Sequence, residues 1–534
     1  MTSLVARVLV AIVAPVRRLF RLEAAGGLVL VLTAALALFS ANSPWSVEYQ
    51  HLVELPIRVG LGASAGSISV HALVNDGLMT IFFAVVGMEI KREIATGQLR
   101  SVRRAALPLI AAAGGMLVPA LVYLAFNGRE PTRNGWAIPT ATDIAFALGC
   151  ASMVKRRVPW SLFVFLMALA IFDDIGAILI IAVAYGSATH LTSLAVAALI
   201  TAGLFALGRA RVYKPWLYLL LGGALWLAVA RSGLHPTIAG VILGFAIPTS
   251  SGRSLKDALE DLDVAVERIR SLPPACAEGS LAALETHART LQTPVERLLS
   301  QLHGLVAFGV VPLFALVNAG IVLNGESSLV GPVTAGVALA LVVGKPLGVL
   351  GGVYIATRTK LTPLPTGTRW KHVLGIALFA GIGFTMSFFI TGLAFPSDGG
   401  TAMSAKVGIL AGSVASALLG LAVLRFACAE LPEGADDDDA LTRVDLPRFD
   451  EDFRVASWTT TPSLSGQSLS DAALRRDRGI TVLGVFRDLE EQTAAGARYR
   501  KLSAVDPDHV LTAGETFLIV GERHVVDQFM AENV

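Results

Sequence analysis

Asp173 and Asp174 stand side by side in MALAIFDDIGAILII, residues 167–181, within an apolar run that spans 160–185 and is long enough to cross a bilayer. An Asp at the centre of a spanning helix costs roughly 2.5–3.5 kcal/mol, so packing alone does not account for one, still less for two. The bland alternative is a protonated pair that merely bridges helices. A single Ser or Asn would do that more cheaply, so the pair reads as a site for protons or small cations.

Other polar groups lie at comparable depth. NGWAIPTATDIAFALG places Pro139, Thr140, Thr142 and Asp143 inside one apolar stretch, and GIALFAGIGFTMSFFI places Gly381 and Gly383 inside another. Proline removes a backbone donor and glycine weakens a helix. Both segments can therefore unwind in mid-membrane, which is tolerated only where the backbone is buried in protein or lines a watery cavity. A broken helix leaves positive partial charge at its N-terminal ends and negative at its C-terminal ends. Asp143 can offset the first and Lys345, in ALVVGKPLGVLGG, the second. Lys345 can alternatively snorkel to an interface, although Gly344 and Pro346 beside it point to close packing.

These groups need a scaffold, and the composition states which kind. Of 534 residues 54% are hydrophobic and 16% charged, with a mean hydropathy of +0.65, which places the chain among polytopic membrane proteins. Apolar stretches fall near 24–41, 70–88, 105–126, 136–154, 160–185, 191–208, 215–231, 235–249, 304–323, 330–356, 372–395 and 404–427, twelve expected spans. Lys91, Arg92, Arg100, Arg103 and Arg104 follow the second, Lys155, Arg156 and Arg157 the fourth, and Arg209, Arg211 and Lys214 the sixth, whereas the alternate loops offer only Arg58, Arg129, Arg133 and Arg231 up to the eighth. That asymmetry predicts cytoplasmic N- and C-termini. Residues 4–16, followed by Arg17, Arg18 and Arg21, lack the order of a signal peptide and suggest an interfacial helix. Residues 250–302 read as amphipathic helices. Cys150, Cys276 and Cys428 have neither paired nor metal-ligand spacing.

NDGLMTIFFAVVGMEIKRE at 75–93, ATDIAFALG at 141–149, ALAIFDDIGAI at 168–178, SGLHPTIAGVILGF at 232–245, PLFALVNAG at 312–320, GKPLG at 344–348 and GIGFTMSFFI at 381–390 resemble the NhaA family of sodium/proton antiporters over residues 20–425. The resemblance implies an all-α membrane domain over 1–430, with twelve helices in inverted repeats and two crossed discontinuous helices, the fourth and eleventh. It also implies electrogenic, pH-regulated exchange of Na⁺ or Li⁺ for H⁺ across the bacterial inner membrane, with lipid and a second copy of the chain, as a homodimer, for partners, and without a cofactor or nucleic acid. Asp173 and Asp174 would then bind the cation or protons, with Asp174 the more central. Thr142 and Asp143 would lie at the crossing, and Lys345 would balance helix dipoles or pair with Asp173. Pro139, Gly381 and Gly383 would mark the breaks. Asp76, Glu89, Glu93 and His235 match positions tied to a funnel, stability or the pH response. One departure concerns an acidic residue that relatives use in pH sensing: here Leu299 stands there, with Glu296 nearby.

The chemistry is consistent with that implication. Sodium prefers oxygen ligands, and two carboxylates with nearby hydroxyls and carbonyls can replace its water shell. Burial and mutual repulsion oppose two bare charges, so the pair holds protons or a cation, and competition yields exchange if only loaded states cross. An intramembrane aspartyl protease built on Asp143 and Asp173 lacks the Gly-rich segment expected before the second Asp. A channel would repeat a filter around an axis, and this chain has one asymmetric cluster.

Beyond 430 the composition changes. The run Asp436–Asp439 lies in an acidic linker, 431–451, of a kind that is usually solvated. Residues 452–534 then read as a small cytoplasmic α/β domain. SLSGQSLSDAAL, GITVLGVFR and DHVLTAGETFLIVGERHVVDQF resemble the TrkA-C part of RCK regulatory domains, with Glu515 where an Asp is usual. That resemblance implies dimerisation and a small-molecule effector, the plain alternative being an assembly module.

Overall fold

A computed structural model describes residues 25–249 apart from 60–65, 96, 98–101, 187–189, 211 and 213; 293–322; 331–428 apart from 366 and 397; and, in the tail, 453–460, 466, 468, 480–488, 500–503, 509–512, 515–522, 525, 526 and 529. The expected interfacial helix near 4–16, the polar loop up to 292, Cys276 and the linker 431–451 lie outside the described residues. The chain divides into two compact units, the first holding the helices named next and the second the tail.

The helices run in chain order α1 Ala25–Ala41, α2 Ser46–Glu54, then a two-stranded hairpin of β1 Pro56–Val59 and β2 Gly66–Ser69, and α3 Val70–Ala95, which contains a wider turn at Leu73–Leu78. Next come α4 Val102–Phe126, a 3₁₀ segment Thr132–Thr140, α5 Ile144–Met153, α6 Trp160–Ala184, α7 Leu191–Arg209, α8 Pro215–Ala230 and α9 Thr237–Ala246. The unit closes with α10 Pro294–Asn318, α11 Pro332–Arg358, α12 Trp370–Ala380, α13 Phe384–Ala394 and α14 Gly399–Ala427.

Among the described residues seven helices are long and apolar enough to cross a membrane, or nine if each of two bent pairs counts as one crossing. Helix covers every apolar stretch expected from the sequence, but α5, α8 and α9 are short, so length and composition alone do not give twelve crossings. The outward surface is itself apolar, as lipid requires: Leu32, Phe39, Val183, Leu191 and Leu199 are each more than half exposed.

With no hydrophobic effect to drive helices together in lipid, close packing does so instead. α4 lies along α11, and α3 along α9. At the first seam Gly114 and Gly348 face each other so closely that a Cβ on either would intrude on the other's carbonyl oxygen. This seam fixes Lys345, at the start of the α11 half that carries Gly348, against the rest of the bundle.

In the tail, β3 Phe453–Thr459, β4 Thr481–Asp488, β5 Arg500–Ser503 and β6 Thr516–Glu522 form an antiparallel sheet in the order β3-β6-β4-β5. Trp458 pairs with Phe517 across β3 and β6, and both bury against Ile480, Val485, Leu511, Ile519, Val526 and Phe529. β5 has no counterpart in the sequence reading. The helix-like stretch expected between the first two β-rich runs lies outside the described residues.

Candidate functional site

Two interrupted helices meet in the interior of the first unit. The 3₁₀ segment containing Pro139 stops at Thr140, the backbone extends at Ala141, and α5 starts with Asp143 as its N-cap. Opposite, α12 stops at Ala380, Gly381 to Gly383 form the break, and α13 follows, the two helices being bent by 43°. A Cβ at Gly381 would meet the Leu341 carbonyl, and one at Gly383 would meet the Ser387 hydroxyl, so the break needs residues without side chains. The two breaks are hydrogen-bonded together: Asp143 N donates to Ile382 O at 2.7 Å, and Ser387 Oγ donates to Ile138 O at 2.7 Å.

Three of the four free helix ends have a partner of the sign that the dipole requires, and the fourth, at Ala380, faces a neutral hydroxyl. Asp143 serves two N-terminal ends at once. Its Oδ1 accepts from Phe146 N at 3.0 Å, in α5, and its Oδ2 accepts from Thr385 N at 3.1 Å and Thr385 Oγ1 at 2.6 Å, in α13. At the C-terminal ends Lys345 Nζ donates to Thr140 O at 2.5 Å, and the Thr142 hydroxyl lies 2.8 Å from Ala380 O.

Lys345 Nζ also donates to Asp173 Oδ2 at 2.6 Å, so it does not snorkel; neither side chain has any exposure. The Thr142 hydroxyl lies 2.6 Å from the same Asp173 oxygen. It carries one proton for two acceptors and can serve only one at a time. Beside this saturated group, Asp173 Oδ1 and both oxygens of Asp174 are buried without a hydrogen-bond partner, and Asp174 is 1% exposed. A buried carboxylate of that kind is stable only when a proton or a cation joins it. The arrangement is therefore one fixed counter-charged pair next to one unsatisfied acid.

The residues expected in a funnel or in the pH response are not gathered into this cluster. Asp76 Oδ1 lies 3.7 Å from His235 Nε2, and Glu89 Oε1 lies 3.2 Å from His303 Nε2. Glu93 Oε1 lies 3.9 Å from Arg92 Nη2. Glu296 forms a capping box with Thr293, accepting from Thr293 N at 2.9 Å while Thr293 Oγ1 accepts from Glu296 N at 3.2 Å, and Leu299 is buried. The sequence reading missed Thr385, Ser387 and His303 as partners. For the first two the signal was two hydroxyls just after Gly383 in an otherwise apolar run.

Apolar helices that expose apolar faces, interrupted at a sealed cluster of three carboxylates and one ammonium, define a multi-pass membrane transporter of small cations. A family model described as Na⁺/H⁺ antiporter 1 matches residues 17–424. The chain belongs to this Na⁺/H⁺ antiporter family; it is a transporter, not an enzyme, and its transported ions are Na⁺ and H⁺. Among curated relatives, it is 44% identical to Na(+)/H(+) antiporter NhaA 1 of Myxococcus xanthus over 77% of this chain and 93% of the relative. It is 46% identical to the NhaA antiporter of Anaeromyxobacter sp. over 78% and 92%. For the NhaA antiporter of Mesorhizobium japonicum the figures are 47%, 76% and 93%. A solved structure of the sodium proton antiporter MjNhaP1 from Methanocaldococcus jannaschii at pH 8 is similar over 79% of this chain and 95% of that one, with a TM-score of 0.42 and 16% identity, too loose a likeness to carry detail.

Proposed function

We propose that the protein exchanges Na⁺ or Li⁺ for H⁺ by competition at Asp173 and Asp174, with alternating access of that one site to the two sides of the membrane. The observation that carries this is Asp174: both of its oxygens are buried and unpartnered beside an Asp173 that Lys345 and Thr142 already engage. Protons or a cation complete it equally well, and each must leave before the other enters. Thr142, Asp143 and Lys345 hold the backbone breaks in place, so the site keeps its shape while empty. Pro139, Gly381 and Gly383 make the breaks, and the twelve-span architecture with crossed helices and inverted repeats is the frame in which they would work.

If more than one proton returns for each Na⁺, exchange is electrogenic. Asp76, Glu89, Glu93 and His235 are assigned to the approaches and to the pH response, with both termini in the cytoplasm and the protein in the inner membrane, as a homodimer. The tail from 452, similar in sequence to TrkA-C domains, is assigned to regulation by a small effector.

Everted membrane vesicles with a pH-sensitive dye test the core of this reading. Wild-type protein should dequench the dye on addition of Na⁺ or Li⁺. Asp174→Asn should insert normally and give none, because an amide takes up neither a proton nor a cation's charge, and Asp173→Asn should be strongly weakened. Near wild-type exchange by Asp174→Asn at any pH from about 6 to 9 would remove the assignment.

A further inference from the structure

We propose that Arg157 is the positioning residue through which the tail acts on the ion site, because it fastens the exit of the last membrane helix to the loop that joins the two helices bearing the site's carboxylates. The family match ends at residue 424, and α14 ends at Ala427. At that exit Arg157 Nη1 donates to Arg425 O, in the last turn, and to Cys428 O at 3.2 Å, where the backbone is already extended. One guanidinium thus bridges the end of the helix and the first step beyond it.

The other end of this contact is equally specific. Val154 caps α5, Lys155–Arg157 form a 3₁₀ turn, and Pro159 leads into α6. The turn is tight, with Arg157 N donating to Val154 O at 2.9 Å and Val158 N to Lys155 O at 3.3 Å. α5 carries Asp143 at its far end, and α6 carries Asp173 about 20 Å along from Trp160, at roughly 1.5 Å per residue. A displacement of this loop would move the near ends of both helices, and with them the carboxylates they carry.

A cation at a helix C-terminus is ordinary capping. This cap, however, comes from 268 positions away, from the loop shared by the two carboxylate-bearing helices, and it grips the end of the last membrane helix, ahead of the linker to the tail. A tail that changes state can act on transport only through contacts that differ between transporter states, and among the described residues this contact is placed to do so.

The inference rests on the reading of the tail as a regulator, and one set of variants separates the two. In everted vesicles, the Na⁺ concentration for half-maximal dequenching is measured across pH for the full chain, for a chain ending at Glu430, and for Arg157→Ala in each. In the full chain Arg157→Ala should shift the half-maximal Na⁺ by roughly five-fold or more, to the truncated chain's value, and in the truncated chain it should add nothing. Arg157→Lys keeps the charge, but its one donor nitrogen ends a bond short of the Nη1 that makes both contacts, so it should shift the full chain in the same direction even if the Ala variant folds poorly. Equal shifts in both backgrounds would make Arg157 a plain cap and overturn the proposal. If truncation shifts the profile while both Arg157 variants leave the full chain unaltered, the clamp alone is overturned. If truncation changes nothing, the regulatory reading of the tail falls, and the clamp with it.

Discussion

Lys345 is bound on two sides, by the Thr140 carbonyl and by Asp173, and has no exposure to water. Taking one partner from a buried ion pair costs about 3–5 kcal/mol, because the survivor is left as an uncompensated charge, whereas removing both costs far less. Lys345→Gln and Asp173→Asn should therefore each lower the unfolding temperature in detergent, and the double variant should unfold later than the sum of the two losses predicts. Strict additivity would mean that the pair is not coupled. Lys345→Arg should retain more stability than Lys345→Ala, since it keeps a cation at the Thr140 carbonyl. The carboxylate pair and Lys345 were legible in the sequence because charge inside an apolar run is conspicuous at any resolution of reasoning. Thr385 and Ser387 were not, for they act across 242 and 249 positions, and only the folded breaks bring them to Asp143 and Ile138.

The elements of the tail carry their own pH dependence. Burial pushes the Glu515 carboxyl up, but donors from His509, at 3.0 Å, and from Thr512 N, at 3.1 Å, outweigh it and hold the group below its ordinary value of 4.5. A carboxyl depressed by folding stabilises the folded form above its unfolded value, and the contribution is lost as pH falls through the folded one. Glu515→Gln should accordingly speed hydrogen exchange of β6 in the full chain at pH 7, and the ratio to wild type should approach one well below pH 4.5. A constant ratio at all pH values would assign the loop's order to packing alone. At this scale the apolar stretches placed most helices within a few residues, but α10 starts at Pro294, ten residues before the expected span and inside the stretch read as a polar loop, and the breaks, the capping box at Thr293 and the strand β5 depended on local hydrogen bonds that hydropathy does not record. Glu296 shows the difference: it stood close to the position of a sensing residue, but it is engaged in starting α10.

For the whole molecule, the three carboxylates of the site and Lys345 lie within 143–345 and the family match stops at 424, so we expect the ion path to be built without the tail. A chain ending at Glu430 should reach the membrane and still exchange Na⁺ for H⁺ in vesicles; abundant, well-folded but inactive truncated protein would refute this division. The same long separations have a consequence during synthesis. Asp173 emerges 172 residues before Lys345, which at about 5–20 residues per second is an interval of roughly 10–30 s. Through that interval the acid pair is in the translocation machinery or the bilayer without its cation, and the glycine face of α4 is without α11. The half-made chain therefore holds polar groups in the membrane without their final partners, a costly state. Protonation lowers the cost of burying a carboxylate, so the order of synthesis favours an acid pair that stays neutral until α11 is in place.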